Sequence, residues 1–239
     1  MAQYEPRVLD RTAGRVADRA GIDEGLRAYM LRVYNYMASG LAITGVVAYF
    51  AAVSGLYVAI AQTPLIWLVI FAPLGLVFLL SARVHKMSPG AAQLAFWSFA
   101  ALMGLSLSYV FLAYTGTSIT RVFLITAASF GALSLYGYTT GKDLSGWGSF
   151  LFMGLIGLIL AMIVNIFLGS SALQFAISVI GVLVFTGLTA YDTQQIKEMY
   201  YQGDSTAVAG RKAIMGALRL YLDFINLFIM LLHLFGNRE

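Results

Sequence analysis

The sequence predicts an all-α polytopic membrane protein, a bundle of seven transmembrane helices. Of its 239 residues, 60% are hydrophobic and 11% are charged, and the mean hydropathy is +0.81. Soluble domains are about 45–50% apolar and about 25% charged. Apolar runs of the length that crosses a bilayer as a helix, about 20 residues, recur seven times along the chain.

The apolar runs are bounded by charges, prolines or clusters of glycine and serine. Because the stretches between them are too short for a soluble domain, we predict one transmembrane domain over residues 33–239, preceded by an arginine-rich segment over residues 1–32. The predicted spans are Tyr34–Val53, Pro64–Leu80, Gly90–Ala113, Ile119–Thr139, Trp147–Leu168, Ala172–Gln195 and Ala213–Phe235.

Lysine and arginine predict the orientation of the chain. Basic residues precede span one and follow spans two, four and six. The alternate loops have almost no lysine or arginine, with Arg121 the main exception. By the positive-inside rule, the N-terminus is inside and the C-terminus is outside. The inside residues are Arg7, Arg11, Arg15, Arg19, Arg27, Arg32, Arg83, Lys86, Lys142, Lys197, Arg211 and Lys212.

Two aspartates interrupt the apolar runs of the last two spans. Asp223, the fourth residue of LYLDFINLFIMLLHLF, lies in the middle third of the last predicted span, and Asp192 lies about one turn from the inner end of span six. Arg219, Asp223 and Asn226 fall on one face of the last helix. A charge at the bilayer centre costs roughly 2.5–3.5 kcal/mol on insertion scales, so such residues indicate a functional site.

Consecutive antiparallel spans could bring Asp192 and Asp223 together in the inner half of the bundle. Two carboxylates in a poorly solvated site cannot both ionise cheaply, so they would share a proton and titrate as a pair. Such a pair can be a proton sensor, a proton relay, a hard-cation site or an acid/base dyad. Two simpler interpretations stay open: Arg219 neutralises Asp223 one turn away, and Asp192 only anchors the end of span six.

Three segments of the chain resemble the signature segments of the Bax inhibitor-1 family. They are YDTQQIK at residues 191–197, LYLDFINLF at residues 220–228 and GKDLSGWGSF at residues 141–150. The resemblance extends from about span one to the C-terminus and leaves the arginine-rich segment uncovered. It implies a bacterial inner-membrane protein in which the last helix is central and six others surround it.

The resemblance also implies a pH-sensitive calcium leak controlled by two aspartates, which match Asp192 and Asp223. A family arginine that can latch onto the pair is matched loosely by Arg83, and Arg219 is a second candidate for that role. Calcium and protons are therefore the expected partners, besides the lipid bilayer, and the two aspartates are a candidate weak calcium site. No cofactor is expected.

Other classes of protein fit the sequence less well. An intramembrane aspartyl protease shares Tyr191-Asp192, but Asp223 lacks the Gly-x-Gly that precedes the second aspartate of such enzymes. The last span has no lysine for a retinal Schiff base. A zinc hydrolase needs three or more ligands, and His85 and His233 are the only histidines. We predict neither an enzyme nor a nucleic-acid-binding protein.

The competing functional hypothesis is a non-transporting modulator. Members similar to YccA suggest a membrane protein partner such as a quality-control protease. Arg7, Arg11, Arg15 and Arg19 are spaced four apart and, on a helix, would present a basic stripe to anionic lipid or to an acidic partner. The simpler interpretation is a solvated tail that follows the positive-inside rule.

Overall fold

The computed structural model describes the backbone of residues 7–238 and the side chains of residues 24–238. Within that part of the chain the regular structure is helical, apart from one isolated bridge between Tyr114 and Arg238. The helices are α1 (Arg7–Val53), α2 (Leu56–Ala61), α3 (Leu65–Arg83), α4 (Pro89–Ser106), α5 (Val110–Ala113), α6 (Gly116–Thr139), α7 (Ser145–Leu168), α8 (Ser171–Glu198) and α9 (Thr206–Phe235).

The predicted seven-helix membrane bundle is confirmed. Seven helical segments are long and apolar enough to cross a membrane, and five of them end at the predicted residue: Val53, Ala113, Thr139, Leu168 and Phe235. The third span consists of α4 and α5, joined by one 3-10 turn. The first predicted span, from Tyr34, lies within α1, which continues without a break through Arg27 and Arg32 before it.

The predicted boundary between residues 32 and 33 lies inside α1, which has no break there. The division into an N-terminal segment and a transmembrane domain stays a prediction. The side chains of Arg7, Arg11, Arg15 and Arg19 lie outside the described residues.

Four helices begin at a serine or threonine whose side-chain oxygen accepts a hydrogen bond from the backbone N–H three residues later. This bond satisfies one of the N–H groups that a helix start leaves unpaired. Helix α7 ends at Gly169, whose φ of 59° is in the left-handed region, and α8 is capped by the next residue, so α7 and α8 form a tight hairpin. The four caps are Ser88, Thr115, Ser170 and Ser205.

Helix α9 is the most buried span. In its most apolar stretch 67% of the residues are buried, against 39% in α8 and 11% in α7. It packs against α1, α4, α6 and α8, while α3 packs on α4 and α7 packs on α8. The sides of α9 that these four helices cover are therefore shielded from lipid. That all six other spans surround α9 stays a prediction.

An aromatic cluster joins α9 to α1 and α4. Tyr221 packs edge-on against Phe99 and Phe96, with ring centroids 5.2 and 6.1 Å away. The Thr44 hydroxyl donates to the carbonyl of Ala100 at 2.8 Å, so its oxygen accepts from the Tyr221 hydroxyl at 2.6 Å. This bond pairs a tyrosine hydroxyl that would otherwise be buried alone.

Candidate functional site

Asp192 and Asp223 lie side by side where α8 packs against α9. The two carboxyl groups are within hydrogen-bonding reach of each other. Asp223 is 5% exposed and Asp192 is half-buried. Asp223 is seventeen residues, about 25 Å, along α9 from Thr206, and Asp192 is six residues before the end of α8. Packing of consecutive antiparallel spans therefore produces the proximity on which the sequence hypothesis depends.

One oxygen of the pair has no partner. Oδ2 of Asp223 is buried and makes no hydrogen bond within the described chain. A buried polar atom without a partner costs about 1–3 kcal/mol. The site therefore favours anything that would pair this oxygen, such as a proton on the neighbouring carboxyl, a water molecule or a cation.

Among the described side chains, Arg219 is a basic residue near the pair. It lies one turn before Asp223 on α9, close enough to act electrostatically on both carboxyl groups, and it is exposed. Among the described side chains, however, neither aspartate forms a salt bridge with it within 4.0 Å. Direct neutralisation of Asp223 by Arg219 is therefore not the arrangement seen here. Arg219 instead contributes a positive charge near the pair without a direct salt bridge.

Arg83 is not brought to the aspartates. It is exposed at the end of α3, and no hydrogen bond or salt bridge to either aspartate is present among the described side chains. The reason is the packing order, because α3 lies against α4, whereas the pair lies between α8 and α9. Of the four predicted site residues, Asp192, Asp223 and Arg219 lie together and Arg83 lies apart.

A chain of hydroxyl groups ends at Thr193, the residue after Asp192, and the sequence did not reveal it. Thr193 donates to the carbonyl of Thr189 at 2.7 Å, so its oxygen must accept from Ser134 at 2.9 Å. Ser134 has one proton and therefore accepts from Tyr34 at 2.7 Å. This directed chain links α1, α6 and α8. Polar residues in apolar runs are its only sequence signal, and that signal does not say which ones meet.

Gln194 fastens the α6–α7 loop to α8. Its side-chain oxygen accepts from the N–H of Leu144, and its side-chain nitrogen donates to the carbonyl of Lys142, both at 2.8 Å. Between these residues, Asp143 accepts from the N–H of Ser145, and hydrogen bonding to Ser145 holds the pKa of this exposed carboxyl below its usual value. The loop is therefore held against the helix that carries Asp192.

The family of the chain follows from a comparison of its sequence with known families. The sequence model of a family described as "Inhibitor of apoptosis-promoting Bax1" matches residues 26–239. The chain belongs to the Bax inhibitor-1 family. The resemblance noted in the sequence is thereby confirmed, and the matched range includes the aspartates, Arg219 and the Gln194 loop.

Bacterial relatives in this family are similar over nearly their whole length. Protein RP147 of Rickettsia prowazekii is 52% identical over 218 residues, which cover 91% of this chain and 92% of that protein. Inner membrane protein YbhL of Escherichia coli is 51% identical over 219 residues, which cover 90% and 94%. A Caulobacter vibrioides protein is 49% identical over 237 residues, which cover 93% and 95%.

The three segments that resemble the Bax inhibitor-1 family meet at one end of the bundle. Segment 191–197 supplies Asp192 to the pair with Asp223 of segment 220–228. The same segment supplies Gln194 to the loop of segment 141–150. Its last residue, Lys197, donates to the carbonyl of Tyr138 at the end of α6. This end carries the α3–α4, α6–α7 and α8–α9 connections. We call it the basic end of the bundle, because lysine and arginine residues lie in or beside these connections.

We expect Gln194→Leu to loosen the α6–α7 loop. The substitution removes two hydrogen bonds, each worth about 0.5–1.5 kcal/mol net, so amide exchange at Leu144 should accelerate roughly tenfold. Hydrogen-exchange mass spectrometry of the peptide over residues 140–146 measures this rate. Gln195→Leu is the matched control. Among the described residues, the Gln195 side chain bonds only to Glu198, at 3.2 Å. Equal exchange in both variants would show that Gln194 does not hold the loop.

The end of the bundle opposite the basic end has a separate polar network. Gln174 accepts from Asn165 and donates to Nδ1 of His233, both at 3.2 Å. A polar cavity of about 430 Å³ lies beside this network. His233 therefore has a structural partner, and no group of three metal-ligating His, Cys, Asp or Glu side chains occurs within residues 24–238. His85 is exposed near the basic end.

Proposed function

We propose that this protein is a pH-sensitive leak pathway for calcium or another hard cation, controlled by Asp192 and Asp223. The contact between these two carboxyl groups supports the proposal most directly. An ionised carboxylate only accepts hydrogen bonds, so two of them can bond to each other only when one carries a proton. The contact is thus a connection between α8 and α9 that depends on a proton.

Loss of the shared proton is the proposed opening step. With the proton present, the pair bridges α8 and α9 and the pathway is closed. Without it, two negative charges repel at short distance in a poorly solvated site, and they must separate or receive a cation. Flux should therefore rise as the pH rises. Arg219, exposed beside the pair, would stabilise the ionised form and set the pH at which the change occurs.

The chemistry of the site suits passage of calcium better than storage. Calcium is a hard ion that prefers oxygen ligands and takes six to eight of them. The pair offers two carboxylates, and within the described residues no third acidic or histidine ligand lies with them. Weak binding of this kind would let an ion enter and leave. Protons and cations are the proposed ligands, and we propose no enzymatic activity.

The proposed location is the bacterial inner membrane with the basic end in the cytoplasm. The relative YbhL is named as an inner membrane protein. By the positive-inside rule, the basic residues Lys197, Arg211 and Lys212 lie on the cytoplasmic side. The N-terminus would then be cytoplasmic as well, because α1 enters the bundle from the same end.

Calcium entry into liposomes tests the transport function itself. Purified protein in liposomes with a trapped calcium dye should admit calcium faster than protein-free liposomes, with a rate that rises about tenfold or more between pH 5 and pH 8. The ratio of deprotonated to protonated pairs changes tenfold per pH unit, so an interval of three pH units is wide enough for that increase in rate. Equal entry in both kinds of liposome at every pH would overturn the transport proposal.

The second candidate function is modulation of another membrane protein, such as a quality-control protease. The basic residues before the first span favour it, because such a segment suits an acidic partner or anionic lipid. Deleting the residues before Arg27 separates the two functions. A transporter should keep its flux after the deletion, whereas a modulator should lose a partner that co-purifies with the full chain.

A further inference from the structure

A long cleft separates α1 from α6 on the surface of the bundle. Both helices pack against α9, but between them lies a cavity of about 680 Å³ whose floor includes Phe224 of α9. A second cavity of about 250 Å³ continues it towards the opposite end and shares Leu41 and Phe224 with it. The two form one cleft, which runs from Arg27 at the basic end to Thr120 near the start of α6.

The cleft is polar at one end and apolar along the rest. Arg27, Tyr34, Ser134 and Tyr138 line its basic end, and none of the acidic residues among the described side chains lines either cavity. Methionine, leucine, alanine and phenylalanine side chains line most of the remainder. A ligand that matches this lining has a negative head group and a hydrocarbon tail.

The dimensions of the cleft match one lipid better than a protein helix. From Arg27 to Leu41 the larger cavity follows α1 for fourteen residues, about 21 Å. One leaflet has half of a hydrocarbon core of about 30 Å, so a head group and one acyl chain fit that length. A helix of the same length and about 10 Å diameter would fill roughly 1,600 Å³, far more than the larger cavity holds.

We propose that the cleft binds an anionic phospholipid of the leaflet at the basic end. The phosphate lies at the guanidinium of Arg27, with the Tyr138 hydroxyl as a further donor, and one acyl chain lies between α1 and α6 against Phe224. This binding site does not depend on the proposed transport function. It would nevertheless contact Tyr34 and Ser134, which begin the hydroxyl chain that ends at Thr193, the residue after Asp192.

The experiment fills the cleft without disturbing the packing. A side chain at Gly131 would project into open space, and Gly131 lines the cleft, so Gly131→Leu should block the acyl chain. Gly157→Leu is the matched control, because Gly157 on α7 also has open space but lies outside the cleft. Native mass spectrometry of purified full-length protein, titrated with phosphatidylglycerol, should show at least tenfold fewer lipid-bound molecules for Gly131→Leu only.

The head-group contact has its own test. Arg27→Ala should lower the preference for phosphatidylglycerol over phosphatidylcholine about fivefold, the ratio that corresponds to about 1 kcal/mol per basic residue near an anionic lipid. Arg32→Ala is the control, since Arg32 is also exposed on α1 but does not line the cleft. An unchanged preference in Arg27→Ala would overturn the assignment of the phosphate position.

The alternative occupants give different results in the same experiment. If Gly131→Leu binds as much lipid as Gly157→Leu, the proposal is wrong. If Gly131→Leu instead converts a dimer into a monomer without changing lipid binding, the cleft is an interface between two copies of the chain. If lipid binding rises when the residues before Arg27 are deleted, the chain's own N-terminal segment occupies the cleft.

Discussion

Asp223→Asn should remove the pH response of calcium flux. Asparagine has nearly the shape of aspartate and can still hydrogen-bond to Asp192, so the connection between α8 and α9 remains, but no second charge can form. Repulsion between two carboxylates then never opens the pathway. We expect flux at pH 8 to fall about tenfold or more, to the level of the unmodified protein at pH 5, because the proposed equilibrium changes tenfold per pH unit.

Three further variants make this result specific. Asp192→Asn should have the same effect, because either substitution leaves a single carboxylate, so that no second negative charge can form. Asp143→Asn should have none, since Asp143 is exposed in the α6–α7 loop and its carboxyl bonds to Ser145. Arg219→Gln should move the rise in flux to higher pH, because the ionised pair loses a favourable charge. If Asp223→Asn keeps both the rate and the pH response, the aspartates are not the gate.

Gly137→Ala should destabilise the protein strongly. A Cβ atom at Gly137 would overlap the carbonyl oxygen of Ala190, so α6 and α8 can approach as they do only because Gly137 has no side chain. Overpacking of this kind typically costs about 1–3 kcal/mol. Thermal unfolding in detergent, followed by circular dichroism, should show a midpoint lower by several degrees. Since Ala190 is two residues from Asp192, the flux should change as well.

Gly141→Ala is the control for this prediction. Gly137 and Gly141 form one GxxxG motif in the sequence, yet a Cβ at Gly141 would meet no atom within 4 Å. The two substitutions therefore add the same methyl group to the same motif, but only the one at Gly137 is expected to lower the midpoint of unfolding. Equal midpoints would show that α6 and α8 can move apart at no cost, and that the close approach at Gly137 is not needed.

The contrast between these two glycines shows where prediction from sequence ended. A GxxxG pattern indicates close helix packing, but it does not say which glycine packs or against which helix. In the structure Gly137 faces Ala190 of the same chain and Gly141 faces open space. Likewise, the sequence marked Arg83 and Arg219 as candidate partners of the aspartates, and only Arg219 lies near them.

The number of spans, most of their ends, the family and the two unusual aspartates could all be read from the amino-acid sequence. These features are local: each depends on whether a stretch of about twenty residues is stable in lipid, and the residues of that stretch decide it. The contact between Asp192 and Asp223, the chain from Tyr34 to Thr193, the hold of Gln194 on its loop and the cleft between α1 and α6 became known only from the tertiary structure. Each of them depends on how helices distant in sequence are rotated and packed against one another. Because the spans carry apolar side chains on every face, the sequence of a span does not determine which face packs against which helix.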